Sequence, residues 1–222
     1  MRAVPSPARG VLFDLDGTLL DTESVTLKAG VAAFGDQGLD VGLDVLLQLV
    51  GIDKYAGANM LRTLVPQADI DALEIAWARR SRMLLVDGVA LKPGVADVLD
   101  ALDAAGLPWA IATSSGRIGA TAKIAGSGLA GRVAHLITVD DVDAAKPAPE
   151  PYLRAAALLG VAASDCVAFE DSETGARSAR DAGCFVVQVP DLVSSEGAFA
   201  DVLADSLLEG AARAGLPLAT LP

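Results

Sequence analysis

The reactive side chains of this 222-residue chain collect in four short stretches, each directly after an apolar run. Gly10-Val11-Leu12-Phe13 leads into Asp14-Leu15-Asp16-Gly17-Thr18, and the run from Pro108 to Ala112 leads into Thr113-Ser114-Ser115-Gly116. The run from His135 to Val139 is followed by Asp140-Asp141 and then Lys146-Pro147, and the run from Cys166 to Phe169 by Glu170-Asp171-Ser172. Brought together, these stretches put at least four carboxylates beside one ammonium and a group of hydroxyls. Clustered carboxylates raise one another's pKa values unless a cation offsets them. Oxygen donors without His or Cys favour magnesium. An Asp kept ionised beside Mg²⁺ and Lys146 can attack phosphorus and form an aspartyl-phosphate. The metal, Lys146, Thr113 and loop N–H groups would meet the charge on the phosphoryl group in transfer. Asp16 follows Asp14 by two residues, placed to protonate a leaving oxygen and then to deprotonate a water.

Such convergence requires that the apolar runs be strands lying side by side. Short apolar runs with abrupt polar ends read as buried strands, here at 10–13, 108–112, 135–139, 166–169 and 184–189. Helical spacing fills the intervals, at 95–105, from about 116, at 149–159, 173–181 and 199–213. Strands alternating with helices imply a parallel sheet covered on both faces. In such a sheet the chemistry gathers at the carboxyl ends of the strands, where all four stretches fall. Between the first strand and Lys92-Pro93-Gly94 the texture differs: 24–34, 43–50, 54–65 and 69–86 carry helical periodicity with Gly or Pro at the joins. The expected fold is therefore α/β, a doubly wound, Rossmann-like parallel sheet from residues 1–20 and 91–222, capped by an inserted α-helical block at 21–90.

Composition narrows the functional classes. With 29 acidic against 17 basic residues the formal charge is −12, which opposes nucleic acid and anionic membranes as partners. A phosphate site on so acidic a chain must be made locally cationic by a metal or placed lysines. Cys166 and Cys184, the two cysteines, fall in strand segments and read as small core residues suited to a reducing compartment. With a single histidine, His135, they do not make up a zinc site. The N-terminal residues lack the long apolar run of a signal peptide, and no apolar run is of membrane-spanning length. A cytoplasmic protein, monomeric or a small homo-oligomer, acting on a small phosphorylated molecule is expected.

At these residues the chain resembles the haloacid dehalogenase superfamily. Asp14-Leu15-Asp16-Gly17-Thr18-Leu19 is similar to its first motif, Thr113 to its second, Lys146 in Lys-Pro-Ala-Pro to its third, and Glu170-Asp171-Ser172 with Gly175 to its fourth. The four occur in order, and the resemblance spans about residues 9 to 190. It implies Asp14 as nucleophile and Asp16 as acid/base, with the Asp16 backbone carbonyl also on Mg²⁺. Asp171 and Glu170 would hold the metal, directly or through water, while Thr113, Ser114 and Lys146 grip the phosphate. The inserted block is similar to that of the subgroup containing β-phosphoglucomutase, phosphoglycolate phosphatase and sugar-phosphate phosphatases. Within it, Leu49-Val50-Gly51-Ile52-Asp53-Lys54 resembles the substrate-specificity segment, and Lys54 would reach towards the substrate.

Alternatives are weighed on single residues. Dehalogenase members lack the second Asp, so Asp16 argues against that chemistry. Mutase members carry a cap His where this chain has Thr26, which favours hydrolysis over a β-phosphoglucomutase-like transfer. Phosphonoacetaldehyde hydrolysis would need a Schiff-base lysine, and the block offers only Lys28 and Lys54. A catalytically idle binding protein would be marked by a lost motif residue, and none is lost. In the blander readings Thr113 and Ser114 cap a helix, Lys54 is an exposed helix lysine, Asp140 and Asp141 are solvated, and His135, Trp77 and Trp109 pack.

Overall fold

The computed structural model describes residues 3–50 and 54–218, except for the side chains of Lys54 and Val86. Its strands are β1 (Gly10–Phe13), β2 (Trp109–Ala112), β3 (Leu136–Ile137), β4 (Cys166–Glu170), β5 (Phe185–Gln188) and β6 (Val202–Leu203). They form one sheet in the order β3-β2-β1-β4-β5-β6, and every pairing is parallel. Every residue of β1, β2, β4 and β5 is buried, because helices cover both faces. Val11 and Phe13 point to one face, packing with Ile111, Val167 and Phe169 beneath α5 (Val95–Ala105), α6 (Arg117–Gly126) and α9 (Leu207–Arg213). Leu12 points to the other, with Ala110, Ala168 and Val186 against α7 (Glu150–Leu158) and α8 (Glu173–Ala182). Phe13 stacks on Phe169 at 5.2 Å and meets Trp109 edge-on at 6.2 Å, fixing the middle of the sheet with the few aromatics the chain has.

Between β1 and α5 lie α1 (Thr22–Asp36), α2 (Leu43–Leu47), α3 (Lys54–Leu64) and α4 (Ile70–Asp87). They enclose an apolar core of their own around Leu27, Phe34, Leu46, Leu61 and Leu73. The two chain passages linking them to the sheet run side by side: Asp21 N–H donates to Ala90 O and Lys92 N–H to Leu19 O, both at 2.9 Å. Among the described residues, no helix is long and apolar enough to cross a membrane. Cys166 and Cys184 are buried core residues without a disulfide, and burial pushes the Cys166 thiol up to about 12.

Two expectations are corrected. The stretch 199–213 is not one helix, since Val202–Leu203 pair with Val187 and Gln188 as an edge strand and α9 starts only at Leu207. Asp201 sets that strand by accepting from Val186 N–H at 3.0 Å and donating its own N–H to Val186 O at 2.8 Å. Ser206 then caps α9 through Glu209 N–H. Nor are Asp140 and Asp141 merely solvated. Asp140 accepts the Arg117 N–H at the start of α6, and Asp141 pairs with the Arg117 guanidinium while accepting from Thr138 N–H and Oγ1. That pairing holds the Asp141 carboxyl well below the usual range.

Candidate active site

The strand order reverses direction at β1 and β4, and in open α/β sheets ligands bind at that point, beyond the carboxyl ends. Asp14 follows β1 there, 6% exposed, with its N–H tied to Phe169 O. Glu170, 1% exposed, ends β4 beside it. Lys146, from the loop before α7, bridges them, its Nζ 2.6 Å from both Asp14 Oδ1 and Glu170 Oε1. Tyr152 of α7 supports the bridge: its hydroxyl donates to Glu170 Oε1 at 2.7 Å, and Nζ lies 4.9 Å from the ring centre. Burial pushes the Lys146 pKa down, yet the two carboxylates facing it hold it above the ordinary value.

Asp14, Glu170 and Asp171 each offer a carboxylate oxygen, and these atoms lie within 4.8 Å of one another. Burial lifts the Asp14 carboxyl to about 7, with Glu170 and Asp16 adding to the rise and Lys146 opposing it; burial together with Asp14 and Glu170 lifts Asp171 to about 9. Two glycines make the crowding possible. Gly17 has φ +85°, and a Cβ there would stand 2.5 Å from Asp171 Oδ2. At Gly175 a Cβ would stand 1.8 Å from Glu170 Oε1, letting the first turn of α8 close over that carboxylate. An oxygen-only donor set with open space at Asp171 fits a hard divalent cation.

Two predictions arise here. In metal-free protein, Asp14 and Asp171 hold protons that the unfolded chain releases between about pH 4 and 9. Its stability therefore falls as pH rises through that window. Mg²⁺ binds the ionised forms, so its stabilisation grows over the same range. At a hundredfold excess over Kd it amounts to about 2.7 kcal/mol, or about 5–10 °C in Tm. Thermal melts with EDTA or Mg²⁺ at pH 5 and pH 8 check this, and an equal shift at both pH values contradicts it. Separately, Gly175→Ala forces Glu170, pinned by Lys146 and Tyr152, out of place. A loss of at least about 1–3 kcal/mol is expected; a wild-type melting temperature would show that the first turn of α8 yields instead.

Asp16 stands apart from the acidic trio. Lys123 of α6 holds it, with Nζ 2.5 Å from both carboxylate oxygens and 2.7 Å from Ser115 Oγ, while Ser115 donates to Asp16 Oδ2 at 2.7 Å. Lys123 is 7% exposed. Thr113 is buried at the end of β2, one residue beyond the register neighbour of Asp14, and its Oγ1 accepts from Ser115 N–H. Ser114 is exposed, so Ser115 rather than Ser114 is the serine that reaches the carboxylates. Asp16 and Lys123 open onto a cavity of about 430 Å³ walled by Glu23, Thr26, Trp77 and aliphatic side chains of α1 and α2. That size lies in the usual small-molecule range of about 300–1,000 Å³. Lys54 begins α3, and its side chain lies outside the described residues.

A family model for haloacid dehalogenase-like hydrolases matches residues 8–183, from just before β1 to the end of α8. The chain belongs to that family. It is 34% identical over 211 residues to protein CbbY (plasmid) of Cupriavidus necator, covering 88% of this chain and 83% of that one. It is 35% identical over 182 residues to fructose-1-phosphate phosphatase YqaB of Escherichia coli, covering 81% and 95%. A family hydrolase from Deinococcus radiodurans, solved with bound phosphate and sodium, superposes with a TM-score of 0.80 at 27% identity over 95% of this chain and 98% of that one. This haloacid dehalogenase-like hydrolase is thus an enzyme, a phosphoric monoester hydrolase. The structure brings Asp14, Lys146, Glu170 and Asp171 of its motifs together, and Ser115 links Asp16 to Thr113 in the loops that follow the neighbouring strands β1 and β2.

Proposed function

We propose that the protein is a Mg²⁺-dependent phosphatase that hydrolyses a small phosphomonoester, a sugar phosphate or similar, through a phosphoenzyme on Asp14. The observation that carries this reading is the convergence of Lys146, Glu170 and Asp171 on the Asp14 carboxylate, next to a cavity sized for a small leaving group. Asp14 attacks phosphorus; the bond from phosphorus to the ester oxygen breaks, and Asp16 gives that oxygen a proton. Asp16 then takes a proton from water, which attacks the phosphorus of the aspartyl-phosphate, freeing Asp14 and inorganic phosphate. Lys146, Thr113 and, at the exposed rim, Ser114 hold the phosphoryl oxygens. Asp14, Glu170, Asp171 and the Asp16 carbonyl would hold Mg²⁺, which when bound offsets the carboxylate repulsion and draws charge from the phosphoryl group.

Residues 1–20 and 91–222 would act as the catalytic core and 21–90 as a cap that excludes water and selects the leaving group, Lys54 reaching in from the cap. Thr26 on the cavity wall has no imidazole to offer, which supports hydrolysis over mutase chemistry. The buried thiols fit the reducing cytoplasm, and the −12 charge a small-molecule rather than a nucleic-acid or membrane partner. Phosphate release from hexose, pentose, glycerol, nucleotide and glycolate phosphates, with and without Mg²⁺, tests the reading. Mg²⁺-dependent release is expected; folded protein releasing none would overturn it.

A further inference from the structure

Lys123 lies on the buried stripe of α6, between Ala120 and Ile124. Burying an ammonium is costly, and apolar side chains in place of a buried ion pair are often as stable or more so. Packing therefore does not account for a lysine here. Its contacts do: Nζ lies 2.5 Å from both oxygens of Asp16 and 2.7 Å from Ser115 Oγ, which engages all three of its N–H bonds within the protein. Lys123 thus acts on Asp16 and not directly on a substrate.

The Asp16 side chain, 31% exposed, stands in the loop after β1 on the wall of the cavity. Its backbone is fixed by the turn in which Gly17 N–H donates to Leu20 O at 2.9 Å. The side-chain torsions are set from the neighbouring elements. Lys123 of α6 spans both carboxylate oxygens, and Ser115 Oγ, from the loop after β2, donates to Oδ2 at 2.7 Å. Ser115 is itself held, since its N–H donates to Thr113 Oγ1 at 3.1 Å and its carbonyl accepts from Val139 N–H at 3.2 Å. These three bonds to Asp16 use three of the about four acceptor sites of a carboxylate, so the clamp does not by itself block the proton.

We infer that Lys123 and Ser115 are positioning residues for proton transfer by Asp16, holding its carboxyl group where the ester oxygen and then the attacking water must meet it. This rests on the phosphatase reading above and adds to it two residues outside the four motifs. As the phosphorus–oxygen bond breaks, the proton on Asp16 passes to the leaving oxygen. The water that attacks the aspartyl-phosphate returns one, so the same carboxyl group has to occupy the same place twice. Proton transfer needs an approach of about 2.6–3.2 Å, and a misplacement of about 1 Å can cost about 10²-fold.

The test measures kcat/KM for the alkyl phosphate of the panel above that is turned over best, and for p-nitrophenyl phosphate. This constant reports the steps up to departure of the leaving group. An alkoxide needs a proton in order to leave, whereas p-nitrophenolate departs as the anion. Lys123→Met should lower kcat/KM for the alkyl ester about 10²-fold, and for p-nitrophenyl phosphate at least about tenfold less. Ser115→Ala, which removes no charge, should show the same selectivity at smaller size. Lys123→Arg, able to grip both oxygens, should recover part of the loss. In Asp16→Asn, which cannot pass on the proton, adding Lys123→Met should cost about twofold or less. Equal losses on the two esters in Lys123→Met and Ser115→Ala, or losses that add in the double variant, would overturn the positioning role. Wild type releasing phosphate from no alkyl ester would overturn the phosphatase reading instead.

Discussion

Asp14→Asn is expected to lower kcat for phosphate release at least about 10⁴-fold, with the fold intact. The amide keeps the shape of the side chain at the end of β1 but cannot form the covalent intermediate, and loss of a nucleophile costs on this scale or more. Stability should not suffer. Asp14 is a buried carboxyl already lifted to about 7 by burial, so its replacement removes a charge that is costly to ionise, and Lys146 keeps Glu170 as partner. Steady-state phosphate release and a melt of the same preparation check both halves. Near-wild-type turnover would remove Asp14 from the chemistry, and an unfolded variant would show that its role is structural.

Lys146→Ala should have the largest effect on stability. Lys146 Nζ lies 2.6 Å from two carboxylates, and all three side chains are nearly sealed from solvent, at 4%, 9% and 1% exposure. A buried ion pair need not stabilise relative to an apolar replacement, but removing one partner leaves its counter-charges buried and uncompensated, at about 3–5 kcal/mol. That corresponds to a fall in Tm of about 6–20 °C. Turnover should fall by about 10²–10³-fold as well, through loss of charge stabilisation at the phosphoryl oxygens. The two carboxylates share one ammonium, so Asp14→Asn added to Lys146→Ala should recover part of the stability. Additive losses would mean that the three groups do not act as a unit.

The catalytic edge was legible because each motif residue follows a run of aliphatic residues long enough to mark a buried strand. The sheet order then brings Asp14 and Glu170 across one switch point. β6 was harder to see. It has two residues, and its pairing depends on Asp201 reaching Val186, a contact 15 residues distant that no local periodicity encodes. Lys123 is not singled out by any motif. The available signal was its place on the stripe that Ala120 and Ile124 bury, where an unpaired lysine is rarely tolerated. Ser115 was missed beside Ser114 because one residue of loop decides which hydroxyl turns inward, and that depends on Asp16 across the sheet edge.

The central claim is a covalent phosphoryl group on Asp14, and trapping it is the most direct test. Protein mixed with its best substrate and Mg²⁺, quenched in acid during turnover, reduced with borohydride and digested, is predicted to give homoserine at position 14 by mass spectrometry. Omission of substrate or the Asp14→Asn substitution should abolish that product. Phosphate released at the normal rate with residue 14 unmodified, or with the reduced residue elsewhere, would contradict the account.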